Sequence, residues 1–123
     1  MKLQLTRPTG PGNIISGYGD DHVLVNGERH SASLVVTAET VLPWAAGRFE
    51  ALEPAHFEAL AALAPEIVLL GTGPRLRFPP AALTVPLVQA GIGLEVMDLR
   101  AACRTYNVLR AEDRRVAAAL LFE

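Results

Sequence analysis

The chain is poor in the residue that builds covalent cross-links, because its 123 residues include one cysteine, Cys103. A single thiol cannot form an intramolecular disulfide, and it cannot build a zinc site without other ligands. Such sparing use of cysteine suits a reducing compartment. We therefore expect no disulfide framework and no cysteine-based zinc site. We also predict no other metal site and no cofactor.

Long hydrophobic segments are also missing. No apolar run reaches the roughly 18 residues that a membrane-spanning helix requires, and VAAALLF near the end of the chain is far shorter. The first ten residues, MKLQLTRPTG, lack the apolar core of a signal peptide and the repeated basic residues of a mitochondrial transit segment. We expect a cytoplasmic protein that does not insert into a membrane.

Positive charge is scarce and unevenly distributed. The formal net charge is −2, and residues 67–123 carry seven arginines against five acids, whereas residues 1–66 carry four basic against eight acidic side chains. Arginine forms planar contacts with carboxylates and phosphates. However, this excess is far below the dense basic surface that nucleic-acid binding requires, so we expect no nucleic-acid partner.

What the sequence does contain is enough apolar material for a core. Half of the residues are hydrophobic and 20% are charged, which excludes general disorder. The length fits one domain, residues 1–123, and such a domain buries roughly two thirds of the surface that its unfolded chain exposes.

The first part of the chain has the pattern of β-structure. Asn26-Gly27 lies between the flanks HVLV and ERHS, and both residues tolerate the positive φ of a type I′ hairpin turn. We predict strands at residues 3–5, 13–18 and 33–36, followed by an irregular loop around Pro43 to Arg48.

Helices and strands alternate in the second part. The predicted elements are a helix over about 54–63, a strand at 67–71, a short helix over about 80–89, a strand at 94–97, a helix with the sequence LRAACRTYNVLRA and a closing strand within RRVAAALLF. Asp98 is a suitable N-cap for the last helix. Connections of this kind usually join parallel strands covered by helices, so we predict an α/β fold with a β-rich first half.

The turn Gly71-Thr72-Gly73 allows two interpretations. A glycine-rich turn between a strand and a helix can direct backbone N–H groups at an anion, and Arg75 and Arg77 follow it. The turn lacks, however, the lysine of a P-loop and the third glycine of a dinucleotide-binding motif. The alternative is a tight chain reversal at the end of a core strand.

The last helix provides a second group of candidates. Helical spacing separates an apolar stripe, which includes Tyr106, from a stripe formed by Arg100, Arg104 and Asn107. Two arginines four residues apart repel each other unless an anion lies near them. That anion is either a ligand or partner held by Arg104 with an arginine of the turn, or an acidic side chain of the same molecule.

Glu95 lies between Leu94 and Val96 in a strand that we predict to be central. A carboxylate buried there is costly unless it is paired, so we expect an arginine as its partner. An ion pair that opens into a cleft would mark a site, whereas a sealed pair would be structural.

No complete catalytic or metal-binding set is evident. Cys103 would need a nearby base to act as a nucleophile, but all three histidines lie in the first half. Pairing of Val23 with His30 across the hairpin would turn His22 to the opposite sheet face from His30, so the two cannot bind one metal. We interpret Cys103 as a small buried apolar residue.

The second half of the chain carries a family resemblance. Residues 67–122, which begin IVLLGTGPRLRFPP and contain AACRTYNVL in the last helix, resemble the Mth938-like family, to which mitochondrial complex I assembly factors belong. The resemblance implies a three-layer α/β fold with a central mixed sheet and no established catalytic activity. For the eukaryotic members it implies a role in assembling a respiratory complex through protein contacts.

These observations lead to one functional hypothesis and one alternative. We predict a non-enzymatic, assembly-factor-like domain that binds a protein partner and exists as a monomer or weak homodimer. The alternative is a binder of a small anion, or an enzyme, that uses an arginine-lined cleft beside the turn. Trp44 is either an exposed anchor for a partner or a lid over the sheet edge. The residues predicted to line a shallow anion or partner cleft are Gly71, Thr72, Gly73, Arg75, Glu95, Arg104, Tyr106 and Asn107.

Overall fold

The computed structural model describes residues 12–123, and the strand expected at residues 3–5 lies outside them. The strands are β1 (Ile15–Tyr18), β2 (Val23–Val25), β3 (Glu28–His30), β4 (Leu34–Val36), β5 (Val41–Pro43), β6 (Ile67–Thr72), β7 (Gly93–Met97) and β8 (Val116–Leu121). The α-helices are α1 (Pro54–Ala61), α2 (Val85–Gln89) and α3 (Leu99–Ala111). Short 3-10 helices at Phe49–Ala51 and Ala81–Thr84 precede α1 and α2.

The central sheet has five strands in the order β5-β4-β8-β6-β7. Strand β6 runs parallel to both of its neighbours, whereas β4 runs antiparallel to β5 and β8. The apolar runs IVLLGT of β6 and VAAALL of β8 are covered on both faces, as inner strands of a mixed sheet require. This arrangement confirms the α/β fold with a central mixed sheet.

Alternating side chains of the central sheet build two cores. One core packs under α1 and α2 and includes Ala117 and Ala119 of β8. The other packs under α3 and includes Ala118, together with apolar residues of a second sheet in the order β1-β2-β3. The layers are therefore α1 with α2, the five-stranded sheet, and α3 with the three-stranded sheet.

The hairpin between β2 and β3 forms at Asn26-Gly27 as the sequence indicates. The two residues have φ values of 52° and 84°, which are the positive values of a type I′ turn. Val23 pairs with His30, so the register is also the expected one.

Strand β5 was not predicted from the sequence, and its last residue, Pro43, is the first residue of the predicted irregular loop. Strand β5 pairs with β4, with Leu34 opposite Pro43. The hydrogen bonds from Trp44 N–H to Ser33 and from Thr37 N–H to Thr40 fix the pairing, and Pro43 therefore faces away from β4. Proline is tolerated there because an edge position has no ladder bond to donate.

Helix α3 begins at a side-chain cap. Asp98 precedes the helix in an extended conformation, and its Oδ1 accepts the N–H of Ala101 at 2.8 Å. This bond satisfies one of the free amides of the first turn and places a carboxylate at the positive end of the helix dipole.

We expect Asp98→Ala to lower the free energy of unfolding by about 1 kcal/mol, because the amide of Ala101 loses its acceptor. Asp98→Asn keeps an acceptor oxygen and should lose less. Urea denaturation of both variants at pH 7 measures the difference. An Asp98→Ala chain that unfolds at the original urea concentration would show that the cap does not contribute.

Candidate functional site

The two glycines of the turn after β6 are explained by close packing. A Cβ atom at position 71 would lie 3.0 Å from the Cβ of Ala102 and 3.1 Å from Cδ2 of Leu120. Gly73 has a φ of +85°, and a Cβ there would lie 3.1 Å from the backbone carbon of Glu123. Position 71 therefore favours glycine because α3 and β8 lie close to it, and position 73 favours glycine because of its positive φ and the nearby Glu123 backbone.

Thr72 uses its hydroxyl inside the turn. The hydroxyl is buried; it donates to the carbonyl of Arg75 at 2.7 Å and accepts the N–H of Arg77 at 3.1 Å. The carbonyl of Met97 lies 3.3 Å from the same oxygen. The hydroxyl thus links the end of β6 to the residues that follow the turn and to the end of β7.

The turn lies beside the first turn of α3, as expected from the sequence, but the amides of Leu99, Ala101 and Ala102 there already have acceptors. Leu99 N–H donates to the carbonyl of Gly73 at 2.8 Å, and Ala102 N–H donates to the carbonyl of Asp98 at 3.0 Å. With Ala101 bound to the Asp98 side chain, an anion would have to displace these internal acceptors.

A small cavity of about 50 Å³ lies between the turn and α3. Its lining includes Asp20, Gly73, Asp98 and Arg100. Arg100 donates to Asp20 Oδ1 at 2.6 Å, so the arginine of this cavity is already paired with a carboxylate of the same chain. Neither Arg75 nor Arg104 lines the cavity, although both belong to the predicted cleft.

The remaining arginines of the predicted site have different surroundings. Arg75 is exposed at the turn. Arg104 is exposed one helical turn beyond Arg100, and its Nη1 donates to the hydroxyl of Tyr18 at 3.3 Å. That hydrogen bond raises the pKa of Arg104. Whether these arginines bind an anion or a partner stays a prediction.

Arg77, which the predicted residue set omits, has the most contacts of the turn. Its guanidinium donates to Glu50 Oε2 at 3.1 Å, to the carbonyl of Thr72 at 2.9 Å and to the carbonyl of Glu123 at 2.6 Å. Its Cζ also lies 4.5 Å above the ring of Phe49. Sequence gives no signal for this role, because two of the three hydrogen-bond partners, Glu50 and Glu123, lie 27 and 46 residues away.

Tyr106 and Asn107 attach α3 to β1. The buried Tyr106 hydroxyl donates to the carbonyl of Asn13 at 2.8 Å, and burial raises its pKa to about 12. Asn107 pairs with both backbone groups of Ile15: its Nδ2 donates to the carbonyl at 2.7 Å, and its Oδ1 accepts the N–H at 3.0 Å. These two side chains therefore cross-link the second sheet to the helix.

The prediction that Glu95 lies in a central strand and pairs with an arginine is wrong. Strand β7 is an outer strand of the sheet rather than a central one, and Glu95 is exposed on it. No ion pair joins Glu95 to a cation within residues 12–123. The acidic partner of Arg100 is Asp20, whereas Arg104 bonds to the hydroxyl of Tyr18 at the end of β1.

Cys103 and Trp44 are both buried. Burial raises the pKa of the Cys103 thiol to about 12, which leaves it protonated at neutral pH and disfavours a nucleophilic role. Trp44 donates from Nε1 to the carbonyl of His56 at 3.3 Å and meets the Phe57 ring edge-on. This confirms the interpretation of Trp44 as a lid, not as an exposed anchor.

The structure has two further concavities that were not predicted from the sequence. One, of about 430 Å³, lies at the amino ends of β6 and β8 and mixes charges, with Arg110, Asp113 and Arg114 in its lining. The other, of about 360 Å³, is an apolar groove between Leu42 of β5 and Leu63 after α1. Within residues 12–123, no three His, Cys, Asp or Glu side chains are positioned to hold a metal ion.

Comparison with protein families gives a match that spans nearly all of the described chain. The model of a family described as "Protein of unknown function (DUF498/DUF598)" matches residues 15–121.

Individual relatives cover a similar range. A protein of Rhodobacter capsulatus named as uncharacterized is 39% identical over 87% of this chain and 82% of its own length. The NADH dehydrogenase (ubiquinone) 1 alpha subcomplex assembly factor 3 of Xenopus tropicalis is 31% identical over 96% of this chain. This chain spans 66% of the length of that factor and 59% of its bovine counterpart. A 27% identical relative in Francisella tularensis bears the name 13 kDa major membrane protein.

Solved structures share the fold. A crystal structure of a Bordetella parapertussis protein has a TM-score of 0.86 at 39% identity and covers 93% of this chain and 98% of its own. The solution structure of a Mth938-like domain from Bordetella pertussis has a TM-score of 0.81 at 33% identity and covers 98% of this chain and 92% of its own. Among the helices of residues 12–123, none has the length and apolar character needed to cross a bilayer.

We expect Asn107→Ala to lower the free energy of unfolding by about 1–3 kcal/mol, because both backbone groups of Ile15 lose their partner. Asn107→Asp keeps the acceptor for the Ile15 N–H but places a carboxylate oxygen against the Ile15 carbonyl, so its loss should be at least as large. Chemical denaturation monitored by circular dichroism compares the two. Unchanged stability of Asn107→Ala would contradict the cross-linking role.

We expect the Cys103 thiol to react with a disulfide reagent at pH 8 only as urea unfolds the chain. Its pKa is raised from an ordinary value near 9 to about 12 by burial, so the folded chain binds the proton more tightly than the unfolded chain does. The contribution of this thiol to the free energy of unfolding is therefore fully present below pH 9, and it is lost as the pH rises from 9 towards 12. Fast labelling of the folded chain at pH 8 would contradict this.

Proposed function

This chain belongs to the DUF498/DUF598 family and has the Mth938-like fold, and on that premise we propose that it acts by binding another protein during the assembly of a larger complex. The observation that carries the proposal is the 31% identity, over 96% of this chain, to an assembly factor of NADH dehydrogenase. In this proposal the chain acts in the cytoplasm, as a monomer or weak homodimer and without a cofactor.

The use of polar side chains in the fold supports a binding role. Thr72, Arg77, Tyr106 and Asn107 each bond to backbone groups of the same chain. Such bonds stabilise the fold. Because these side chains are used inside the molecule, recognition of a partner in this proposal depends on other, exposed residues.

The surface offers an apolar segment suited to such a contact. Within the described residues, Phe78 is 70% exposed and Val88 is 72% exposed, and Leu76 and Val85 are exposed as well. All four come from the connection between β6 and β7. Exposed apolar side chains are ordinary when scattered, whereas a contiguous exposed apolar patch is typical of a protein contact, and the shared connection makes these four the candidates for one.

Affinity capture tests the proposal. The chain, tagged and produced at its native level in the organism that encodes it, should recover a protein partner in a fixed ratio, identified by mass spectrometry. A Phe78→Ser/Val88→Ser chain should lose that partner. Val108→Ser is the matched control, because Val108 is 56% exposed on α3, and it should keep the partner.

The same cells test the assembly role. Deletion of the gene should lower the amount of a multi-subunit complex that contains the partner, measured by native electrophoresis. Recovery of no partner, together with a melting temperature that rises on addition of phosphate or citrate, would contradict the proposal and favour the anion-binding alternative.

A further inference from the structure

The two outer strands of the central sheet differ in how their free edges are built. Strand β5 carries Pro43, which faces away from β4 and has no N–H to offer. Proline at such a position is one of the ways in which proteins prevent a sheet edge from pairing with another strand. The β5 edge is therefore a poor template for an added strand.

Strand β7 has no such protection. Its parallel register with β6 places Leu69 beside Glu95, and Gly93 N–H donates to the carbonyl of Glu66 at 3.2 Å. Alternate residues of a strand direct their backbone groups to opposite sides, so Leu94 and Val96 direct their N–H and C=O groups away from β6. No other strand of residues 12–123 pairs with this side of β7.

The side chains of β7 indicate which kind of strand could be added at its free edge. Leu94 and Val96 pack on the core under α1 and α2 and remain partly exposed. Glu95 points to the other face and is exposed, without an ion pair in the described part of the chain. An added strand would meet two half-covered apolar side chains on one face and a single carboxylate on the other.

We propose that the free edge of β7 accepts an extended segment of a partner protein with the pattern apolar, Lys or Arg, apolar. Main-chain bonds to Leu94 and Val96 would give affinity, as in other cases of strand addition. The apolar side chains of the segment would cover Leu94 and Val96, and its cation would face Glu95. This inference rests on the proposed function, because it assigns the partner a second contact in addition to that with Phe78 and Val88.

A second copy of the chain fits this edge less well. Two β7 strands that pair antiparallel about a two-fold axis at Glu95 bring the two carboxylates opposite each other, with Cβ atoms about 4.5–5.5 Å apart. Like charges directly opposite destabilise a strand pair. The charge of Glu95 therefore favours a cationic segment over self-association in this register.

Peptide binding to the full chain tests the proposal, with the capped peptides STIKVTS and STIEVTS as probes. Amide hydrogen exchange by NMR should slow at Leu94 and Val96 when STIKVTS is added. The glutamate peptide should bind about two- to fivefold more weakly, the range of a cross-strand charge pair. Glu95→Lys leaves the backbone unchanged and should reverse the preference.

A proline variant tests the backbone bonds separately. Val96→Pro removes an N–H that points away from β6 and also replaces a side chain packed on the core, so it should abolish peptide binding, and circular dichroism checks that the chain keeps its fold. If this variant fails to fold, the reversal by Glu95→Lys still decides the question.

Three results would overturn the proposal: no slowing at Leu94 and Val96 with millimolar peptide, no reversal by Glu95→Lys, or slow exchange of both amides in the chain alone. If exchange of these two amides becomes slower as the chain concentration rises, the edge binds a second copy of the chain. A chain that fails to bind the peptides but still captures a partner from its own cells would leave the proposed function standing and place docking elsewhere.

Discussion

The close contact of α3 with the central sheet is the constraint on which the rest of the molecule depends. A Cβ at Gly71 would lie 3.0 Å from the Cβ of Ala102, so the absence of a side chain at position 71 lets the helix lie this close to the sheet. Strand β8 contributes alanines at 117–119 beneath the helices on both faces. Small side chains allow helix and sheet to approach closely, and a larger group at position 71 would force the helix, its neighbours or both to shift.

The position of α3 in turn holds the second sheet. Tyr106 bonds to Asn13, Asn107 to both backbone groups of Ile15, and Arg100 to Asp20. These bonds follow the chain from just before β1 to the turn beyond it. Side chains that by type could serve as ligands for an anion therefore serve as cross-links. A ligand at this rim would compete with acceptors already in place, which costs more than binding to solvated arginines.

Local features were predictable from sequence, whereas pairings between distant residues were not. The Asn26-Gly27 turn and the Asp98 cap depend on a few neighbouring residues, and both appear as expected. The partner of Arg100 is 80 residues away, and the strand order that makes β7 an outer strand depends on the whole topology. Glu95 was placed in a central strand because its neighbours are apolar, but an edge strand packed on one core has the same local pattern.

Edge recognition explains how such a domain can be specific without a cluster of reactive side chains. Backbone N–H and C=O groups occur in every sequence, so no motif marks an edge that is free to bind. What distinguishes β7 from β5 is topology together with one proline: Pro43 removes a donor from one edge, and nothing comparable removes donors from Leu94 and Val96. A carboxylate at Glu95 then adds selectivity, since charge between opposed strands decides which partners are excluded as well as which are accepted. The polar side chains can therefore be used for stability while the main chain is used for binding.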